Sequence, residues 1–252
     1  MKRTGFAAFL ITLGAFATFY LISRTSINLR PETITPSPFN SPLPSGLRIT
    51  TATGTYEVFT RKIENPGSLI LIPNFSEKLG SEEIVEKYNC RFGINGGFYT
   101  TARTPLGKFT ADGKVMNPNT HDQTFFNGFV YKTTAGVFNF SNNEPAEAVD
   151  FLFQTGPFFT AKSKLTIKVD EADRRMLILK SETGLFYFAA ITTPDNRNSG
   201  PLLSQVPEII RQLPFHIVEV MNLDGGSASA FYDDSGNHFS EIVAIGSFLC
   251  GR

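Results

Sequence analysis

Short apolar segments separated by turn-forming residues follow one another from residue 47 to residue 252. They are rich in Phe, Ile, Val and Leu, which is typical of buried β-strands. Asp112-Gly113 between two such segments predicts a tight hairpin turn. Strands are predicted at 56–59, 68–73, 125–131, 137–140, 151–153, 176–179, 185–192 and 215–223, with a last strand pair formed by 243–245 and 248–249.

Two segments have helical spacing instead. Residues 81–88 carry acids in their first turn, with Ser81 as the predicted N-cap. Residues 202–213 place Pro207 where a first helical turn tolerates it. Many strands and few helices favour an α+β fold over βαβ alternation or an all-β sandwich. We therefore predict a single strand-rich domain at 47–252 with mixed sheets and a few short helices.

The N-terminal residues predict export. Lys2 and Arg3 precede an apolar run over 5–22, so 1–30 is predicted to be a signal anchor or a removed signal peptide. Residues 31–46 contain five prolines and are predicted to form an extended linker. The expected location is the periplasm or the cell exterior, with the N-terminal hydrophobic segment as a membrane anchor.

Composition limits the partners. The chain of 252 residues has 25 Phe, no Trp and a formal net charge of zero, which indicates a substantial core and no nucleic acid partner. The three histidines are isolated, so neither a metal nor a cofactor is expected. Cys90 and Cys250 form either one disulfide or two buried thiols. The oligomeric state is left open.

Three predicted strands end in polar residues followed by glycine. They continue as Asn95-Gly96-Gly97-Phe98, as Gln154-Thr155-Gly156-Pro157, and as Asn222-Leu223-Asp224-Gly225-Gly226-Ser227. A strand that stops at a carboxylate delivers it to the rim of a sheet. The glycines allow positive φ and leave backbone N–H groups open to a ligand. A tight turn alone would need fewer glycines and hydroxyl groups, so the third segment favours a site.

These three segments, with Pro105-Leu106-Gly107 and Arg174-Arg175, occur in an order that resembles the phosphodiester glycosidase domain family. The resemblance covers about residue 50 to the C-terminus. It implies hydrolysis of a sugar-1-phosphodiester, which releases free sugar and a phosphomonoester. Two departures are visible: residues 176–179 replace a glycine-containing motif that often follows the family's arginine, and Ser227 follows only two glycines.

The family motifs, carried over residue by residue, imply roles for this chain. Asp224 acts on the sugar side as base, nucleophile or electrostatic partner. Arg175, with Arg174 as the alternative, binds phosphate through its planar fork, and Asn95 completes the catalytic set. The expected substrate-binding residues are Gly96, Gly97, Phe98, Gln154, Thr155, Gly156, Arg174, Asn222, Gly225, Gly226 and Ser227.

Several of these residues also have structural interpretations. Asp224 can cap the turn that it begins. One of the two arginines can belong to an exposed ion pair with Asp170, Glu171 or Asp173. Glu219, inside an apolar strand, is either a second acid or a residue paired with a basic neighbour.

Three functions are therefore compared. The first is a hydrolase that cleaves a sugar-1-phosphodiester in an envelope glycan or glycolipid. The alternative is a non-catalytic module that binds carbohydrate or phosphate, and the third is a structural envelope protein. The enzyme requires that Asn95, Gln154, Arg175 and Asp224 converge on one cleft, and it is excluded if Asp224 and Arg175 lie on opposite faces.

Overall fold

The computed structural model describes residues 46–252, which form sixteen β-strands, two α-helices and three short 3-10 turns. The predicted anchor at 1–30 and nearly all of the predicted linker lie outside the described residues. Within the described part, no helix is both long enough and apolar enough to cross a bilayer.

The largest sheet has six strands and is covered on both faces. Its strand order is β1 (Leu47–Thr51), β2 (Gly54–Ile63), β12 (Phe186–Thr192), β11 (Arg175–Ser181), β13 (Ile217–Asn222) and β10 (Phe158–Phe159). Alternate side chains of β11 belong to different core clusters: Met176 and Ile178 to one, Leu177 and Leu179 to the other. Strand β11 is therefore buried on both faces, which explains its continuous apolar sequence.

Two five-stranded sheets accompany it. The second sheet has the order β15 (His238–Phe239), β14 (Phe231–Tyr232), β4 (Phe92–Asn95), β16 (Ser247–Gly251) and β3 (Ile70–Pro73). The third sheet has the order β6 (Lys114–Asn117), β5 (Phe109–Ala111), β9 (Val149–Thr155), β7 (Gly128–Thr133) and β8 (Phe138–Ser141).

All strand pairs among the described residues are antiparallel, so the prediction of mixed sheets is wrong. Parallel neighbours need crossover connections, which are usually helical. The two short helices of the described part offer little material for them. The strand-rich domain with few helices is confirmed.

Phenylalanine provides the contacts between the sheets. One core cluster takes residues from all three, and edge-to-face pairs such as Phe59–Phe239, 4.7 Å between ring centroids, and Phe75–Phe109, 5.1 Å, fill it. The abundance of Phe noted in the sequence is therefore a property of this shared core.

The predicted helices are present with changed ends. Helix α1 (Ser81–Tyr88) is confirmed, but Gly80 is its N-cap, and the Gly80 N–H donates to Glu83 Oε2 at 2.7 Å. Residues 202–213 are helical only in part, as a 3-10 turn (Leu203–Gln205) followed by helix α2 (Val206–Ile210), with Pro207 in its first turn as predicted. Pro214 disfavours helical geometry in the residue before it, which is consistent with the early end.

Two further local predictions have opposite outcomes. The hairpin turn at Asp112-Gly113 is confirmed, with φ of 51° and 68°. The pairing of 243–245 with 248–249 is wrong, because β16 lies between β3 and β4 instead.

Cys90 and Cys250 form a disulfide, which decides between the two alternatives left open by the sequence. The bond joins the residue two positions before β4 to β16, its neighbour in the second sheet, across a sequence separation of 160 residues. Both cysteines are buried. The strand that leads to Asn95 is thus covalently held at its start.

Candidate active site at the junction of three sheets

The ends of β4, β9 and β13 meet at one place, and hydrogen bonds join them. Asn95 Nδ2 donates to the backbone O of Asp224 at 2.8 Å, and the Asp224 N–H donates to Gly96 O at 3.2 Å. Thr155 Oγ1 donates to Asn222 O at 2.9 Å. Each of the three sheets therefore contributes one of the strand ends that the sequence singled out.

Asp224 is the predicted acid at this junction. Burial raises the pKa of its carboxyl group to about 7; the negative charge of Asp173 adds to the shift, and the Gly225 N–H opposes it. No cation of the described residues appreciably offsets the burial. The carboxyl group can therefore hold or release a proton near neutral pH.

Arg175 lies beside Asp224. The Leu223 N–H donates to Met176 O at 2.9 Å and the Gly226 N–H donates to Arg174 O at 3.1 Å, so the backbone of Arg175 lies opposite Asp224 and Gly225. Arg175 Nη1 is 3.9 Å from the position that a Cβ on Gly225 would take. The two residues lie at the same end of the sheet, and the arrangement that excludes an enzyme is not found.

The guanidinium group of Arg175 is only partly free. Its Nε donates to Pro201 O at 3.0 Å, and Nη2 donates to the backbone O of Glu171 and lies 3.8 Å from Asp170 Oδ1. Burial lowers the pKa of Arg175, and nearby acids partly oppose that shift. Nη1 is the nitrogen without a hydrogen bond in the described part, so a ligand would meet one nitrogen and not an open fork.

Arg174 has a different place. Its side chain is buried, with Nε donating to Gly226 O at 3.0 Å and Nη2 to Ser229 O at 2.8 Å and Ser240 O at 2.7 Å. It therefore fixes the 3-10 turn Gly226–Ala228 that follows Asp224. Arg175 forms the ion pair with Asp170 that was considered from the sequence, but both side chains are largely buried, and Arg174 forms no ion pair among residues 46–252.

Arg174→Lys is expected to lower the free energy of unfolding by about 2–3 kcal/mol, because a single ammonium nitrogen cannot reach three carbonyls that the guanidinium group contacts through two separate nitrogens. Urea denaturation measures the change. Arg211→Lys is the matched control, since Arg211 binds a single carbonyl, Ala161 O, at 2.7 Å. Equal stability losses in the two variants would contradict the role given to Arg174.

Most of the other predicted polar residues bind backbone groups. Asn95 is 1% exposed, and its Oδ1 accepts from the Ala230 N–H at 3.0 Å. Gln154 Oε1 accepts from the His121 N–H at 2.7 Å, and Nε2 donates to Phe126 O at 2.7 Å. Asn222 Nδ2 donates to Gly156 O at 2.8 Å. These amides order the loops of the junction.

The glycines make room for close packing. A Cβ on Gly96 would lie 2.2 Å from Ser247 Oγ, and the Gly96 N–H is already bound to Ser247 O at 2.8 Å. Gly97 is packed against Gln154 O, which a Cβ would approach to 2.9 Å. Gly226 has φ of +64° and faces the Asp173 carboxylate. The Gly96 N–H is therefore unavailable to an anion.

The last two predicted site residues lie at the periphery. Ser227 is exposed in the 3-10 turn. Phe98 is half-buried and contacts Phe125 and Phe126 edge-to-face, with ring centroids 6.1 Å and 5.1 Å apart.

Two residues at the junction were not predicted from the sequence. Asp173 was considered only as a partner of the arginines, but it lines a cleft of about 210 Å³ together with Arg175, Phe125 and Leu203. Tyr99, which directly follows Gly-Gly-Phe, donates its hydroxyl to Ala244 O at 2.8 Å. Burial raises the pKa of Tyr99, and the charge of Asp224 adds to the shift. Its position after the glycine motif was the available signal.

The remaining candidates are accounted for by ordinary contacts. Glu219 forms an ion pair with Lys180 at 3.0 Å, as its structural interpretation expected. His238 lies 3.3 Å from Glu82. Among residues 46–252, no group of three or more His, Cys, Asp or Glu is arranged to hold a metal ion.

The family model described as phosphodiester glycosidase matches residues 88–245, and the chain belongs to this family. No curated protein sequence is significantly similar to the chain.

Solved structures share the fold. The zebrafish N-acetylglucosamine-1-phosphodiester alpha-N-acetylglucosaminidase catalytic domain, auto-inhibited by its pro-peptide, is similar with a TM-score of 0.62, 17% identity and 84% coverage of each chain. A hypothetical protein from Synechocystis has a TM-score of 0.53 and 13% identity, covering 81% of this chain and 60% of that one. A Burkholderia pseudomallei protein described as exported has a TM-score of 0.51 and 12% identity, with coverage of 80% and 74%. At these identities the likeness concerns the fold alone.

Proposed function

We propose that the protein hydrolyses a sugar-1-phosphodiester by cleaving the bond between the anomeric carbon and the phosphate oxygen. The observation that carries the proposal is the Asp224 carboxyl group, which is held at the junction of three sheets with a pKa of about 7 in a member of the phosphodiester glycosidase family. A group that titrates near the working pH is suited to proton transfer.

The chemistry needs little beyond this group. The phosphate is a good leaving group, and the reaction passes through a state with positive charge on the sugar. In the proposed arrangement the Asp224 carboxyl group faces the bond between the anomeric carbon and the phosphate oxygen and exchanges a proton there, and the free Nη1 of Arg175 meets another phosphate oxygen. Asn95, Gln154 and Thr155 take positioning roles, because their hydrogen bonds go to the backbone of the loops around Asp224.

We place the protein outside the cytoplasm, acting on an envelope glycan or glycolipid. The buried disulfide supports an oxidising compartment, and one protein of similar fold is described as exported. Tethering through residues 1–30 remains a prediction from the sequence. The zebrafish protein's name specifies an N-acetylglucosamine-1-phosphodiester, which makes an amino sugar the first substrate to examine.

The test is to incubate the full-length protein with N-acetylglucosamine-1-phosphodiesters in water enriched in ¹⁸O. We expect free sugar and a phosphomonoester that carries no label, because cleavage of the carbon–oxygen bond leaves the original oxygen on the phosphate. Label in the phosphate would show phosphorus–oxygen cleavage and would contradict the proposal. Heat-denatured protein gives the background rate.

A non-catalytic binding module is the second candidate. It is favoured by the guanidinium group of Arg175, in which Nε and Nη2 are already bound to backbone carbonyls. This candidate predicts micromolar binding of glycan phosphates in calorimetry without any release of sugar. Turnover in the labelling experiment would exclude it.

A further inference from the structure

We propose that Asp173 is the second carboxylate of the reaction and that it works with Asp224 as an acid–base pair across the bond between sugar and phosphate; this inference rests on the proposed function. Asp173 lies immediately before Arg174 and β11. Three properties of the residue support the assignment: its place, its free oxygens and the charges around it.

The place of Asp173 is set by the turn that follows Asp224. The Gly226 N–H donates to Arg174 O at 3.1 Å, so the two segments run side by side. A Cβ on Gly226 would lie 2.3 Å from Asp173 Oδ2 and 3.2 Å from Oδ1. Gly226 therefore has two effects. It adopts a positive φ, and its lack of a side chain lets the Asp173 carboxylate pack against the backbone two positions after Asp224.

Asp173 is also the acid of its segment that remains available. Asp170 accepts hydrogen bonds from the Leu203 and Ser204 N–H groups at 2.7 and 3.0 Å, which commits both of its oxygens. Glu171 is exposed. Asp173 is half-buried and lines the cleft beside Arg175, and its carboxylate accepts no hydrogen bond within residues 46–252. A substrate or a water molecule can therefore reach it.

The charges around Asp173 differ from those around Asp224. Arg174 and Arg175 flank Asp173, and the charge of Asp173 acts on both guanidinium groups, although their own hydrogen bonds go elsewhere. Asp224 is affected by burial, by Asp173 and by the Gly225 N–H, while Tyr99 on the loop after β4 is the other titratable group coupled to it. Asp224 is thus held at the junction of the sheets and Asp173 lies in the cleft between two cations, and two carboxyl groups in unlike surroundings commonly divide the roles of acid and base.

The resulting step is balanced. The Asp224 carboxyl group donates its proton to the phosphate as the bond from the anomeric carbon to the phosphate oxygen breaks, and the bonding electrons remain on that oxygen. Asp173 takes a proton from water, whose oxygen forms the new bond to the anomeric carbon. The products are the free sugar and a phosphomonoester, and proton exchange with solvent restores both acids.

The test compares full-length Asp173→Asn with wild type on the sugar-1-phosphodiester used above. We expect kcat to fall at least about 100-fold with little change in KM, because the substitution keeps the shape and removes the base. The pH at which the remaining activity declines should move down, since the like charge next to Asp224 is gone. Formate should restore part of the activity of Asp173→Ala, a result that a structural role would not give.

Asp195→Asn is the matched control, because Asp195 is exposed in the loop after β12. If wild type is active and Asp173→Asn is as active as Asp195→Asn, the inference is wrong and the proposed function stands. Inactive wild type would overturn both. The electrostatic coupling between Asp173 and Asp224 is also measurable without substrate. The free energy of unfolding should fall less between pH 4 and pH 7 in Asp173→Asn than in wild type. An equal fall in the two proteins would contradict the acid–base pair.

Discussion

Asp224→Asn is expected to reduce the hydrolysis of a sugar-1-phosphodiester at least about 1000-fold, which corresponds to roughly 4 kcal/mol of activation free energy. The amide has the same shape, so substrate binding should change little. It cannot supply the proton that the phosphate oxygen takes up as the bond to the sugar breaks. Steady-state kinetics measure the effect, and a variant that keeps more than a tenth of wild-type kcat would remove Asp224 from the mechanism.

The same substitution is expected to stabilise the fold at alkaline pH. The pKa of Asp224 is about 7 in the folded protein and close to 3.9 when unfolded, so the folded state binds more protons between these values. Stability therefore falls as the pH rises through this window. Asp224→Asn should be more stable than wild type by about 2–4 kcal/mol at pH 8 and nearly equal at pH 4. Urea denaturation at pH 4 and pH 8 measures this difference in stability, with Asp195→Asn as the control.

Removal of the disulfide is expected to have the second large effect, a loss of stability. The Cys90→Ala, Cys250→Ala double variant is expected to lose about 4 kcal/mol of unfolding free energy, because the bond closes a very long loop in the unfolded chain. Alanine avoids placing a new polar group in these buried positions. Urea denaturation under non-reducing conditions measures the loss.

A reductant provides the control for this prediction. It should bring wild type close to the double variant and should leave the double variant unchanged. Equal midpoints for oxidised wild type and the double variant would contradict the prediction. Because Cys90 lies next to the strand that carries Asn95, activity should decline at lower urea concentrations in the double variant than in wild type.

Site residues that directly follow an apolar strand could be predicted from the sequence. An apolar strand that stops at Asn95, Thr155 or Asp224 must bring these residues to a sheet edge, and all three lie at the junction. The sequence could not show that the amides of Asn95 and Gln154 would bind backbone groups, because their partners are distant in the chain.

The different positions of Arg174 and Arg175 could not be predicted from the sequence. Arg174 and Arg175 are adjacent in the sequence and have opposite fates, since alternate residues entering a strand face opposite sides. Arg174 is buried and Arg175 lines the cleft. Which residue faces which side depends on the register with β13, and register is a tertiary property. For the same reason Asp173 could not be recognised as a neighbour of Asp224.

The fold was predictable in its local elements and not in its long-range pairing. The hairpin at Asp112-Gly113 follows from two adjacent residues. Strand β16 pairs with β3 and β4, which lie far earlier in the chain, and no local pattern identifies those partners. Antiparallel order throughout the described sheets is likewise a result of how distant segments meet.

Tyr99 gives the site an optical reporter. The chain has seven tyrosines and no tryptophan, so tyrosine emission is not masked by indole fluorescence. The phenol of Tyr99 is sensitive to the charge of Asp224. Ionisation of Asp224 near neutral pH should therefore change the emission, and a titration followed in a fluorimeter can report whether its carboxyl group carries a proton before any substrate is known.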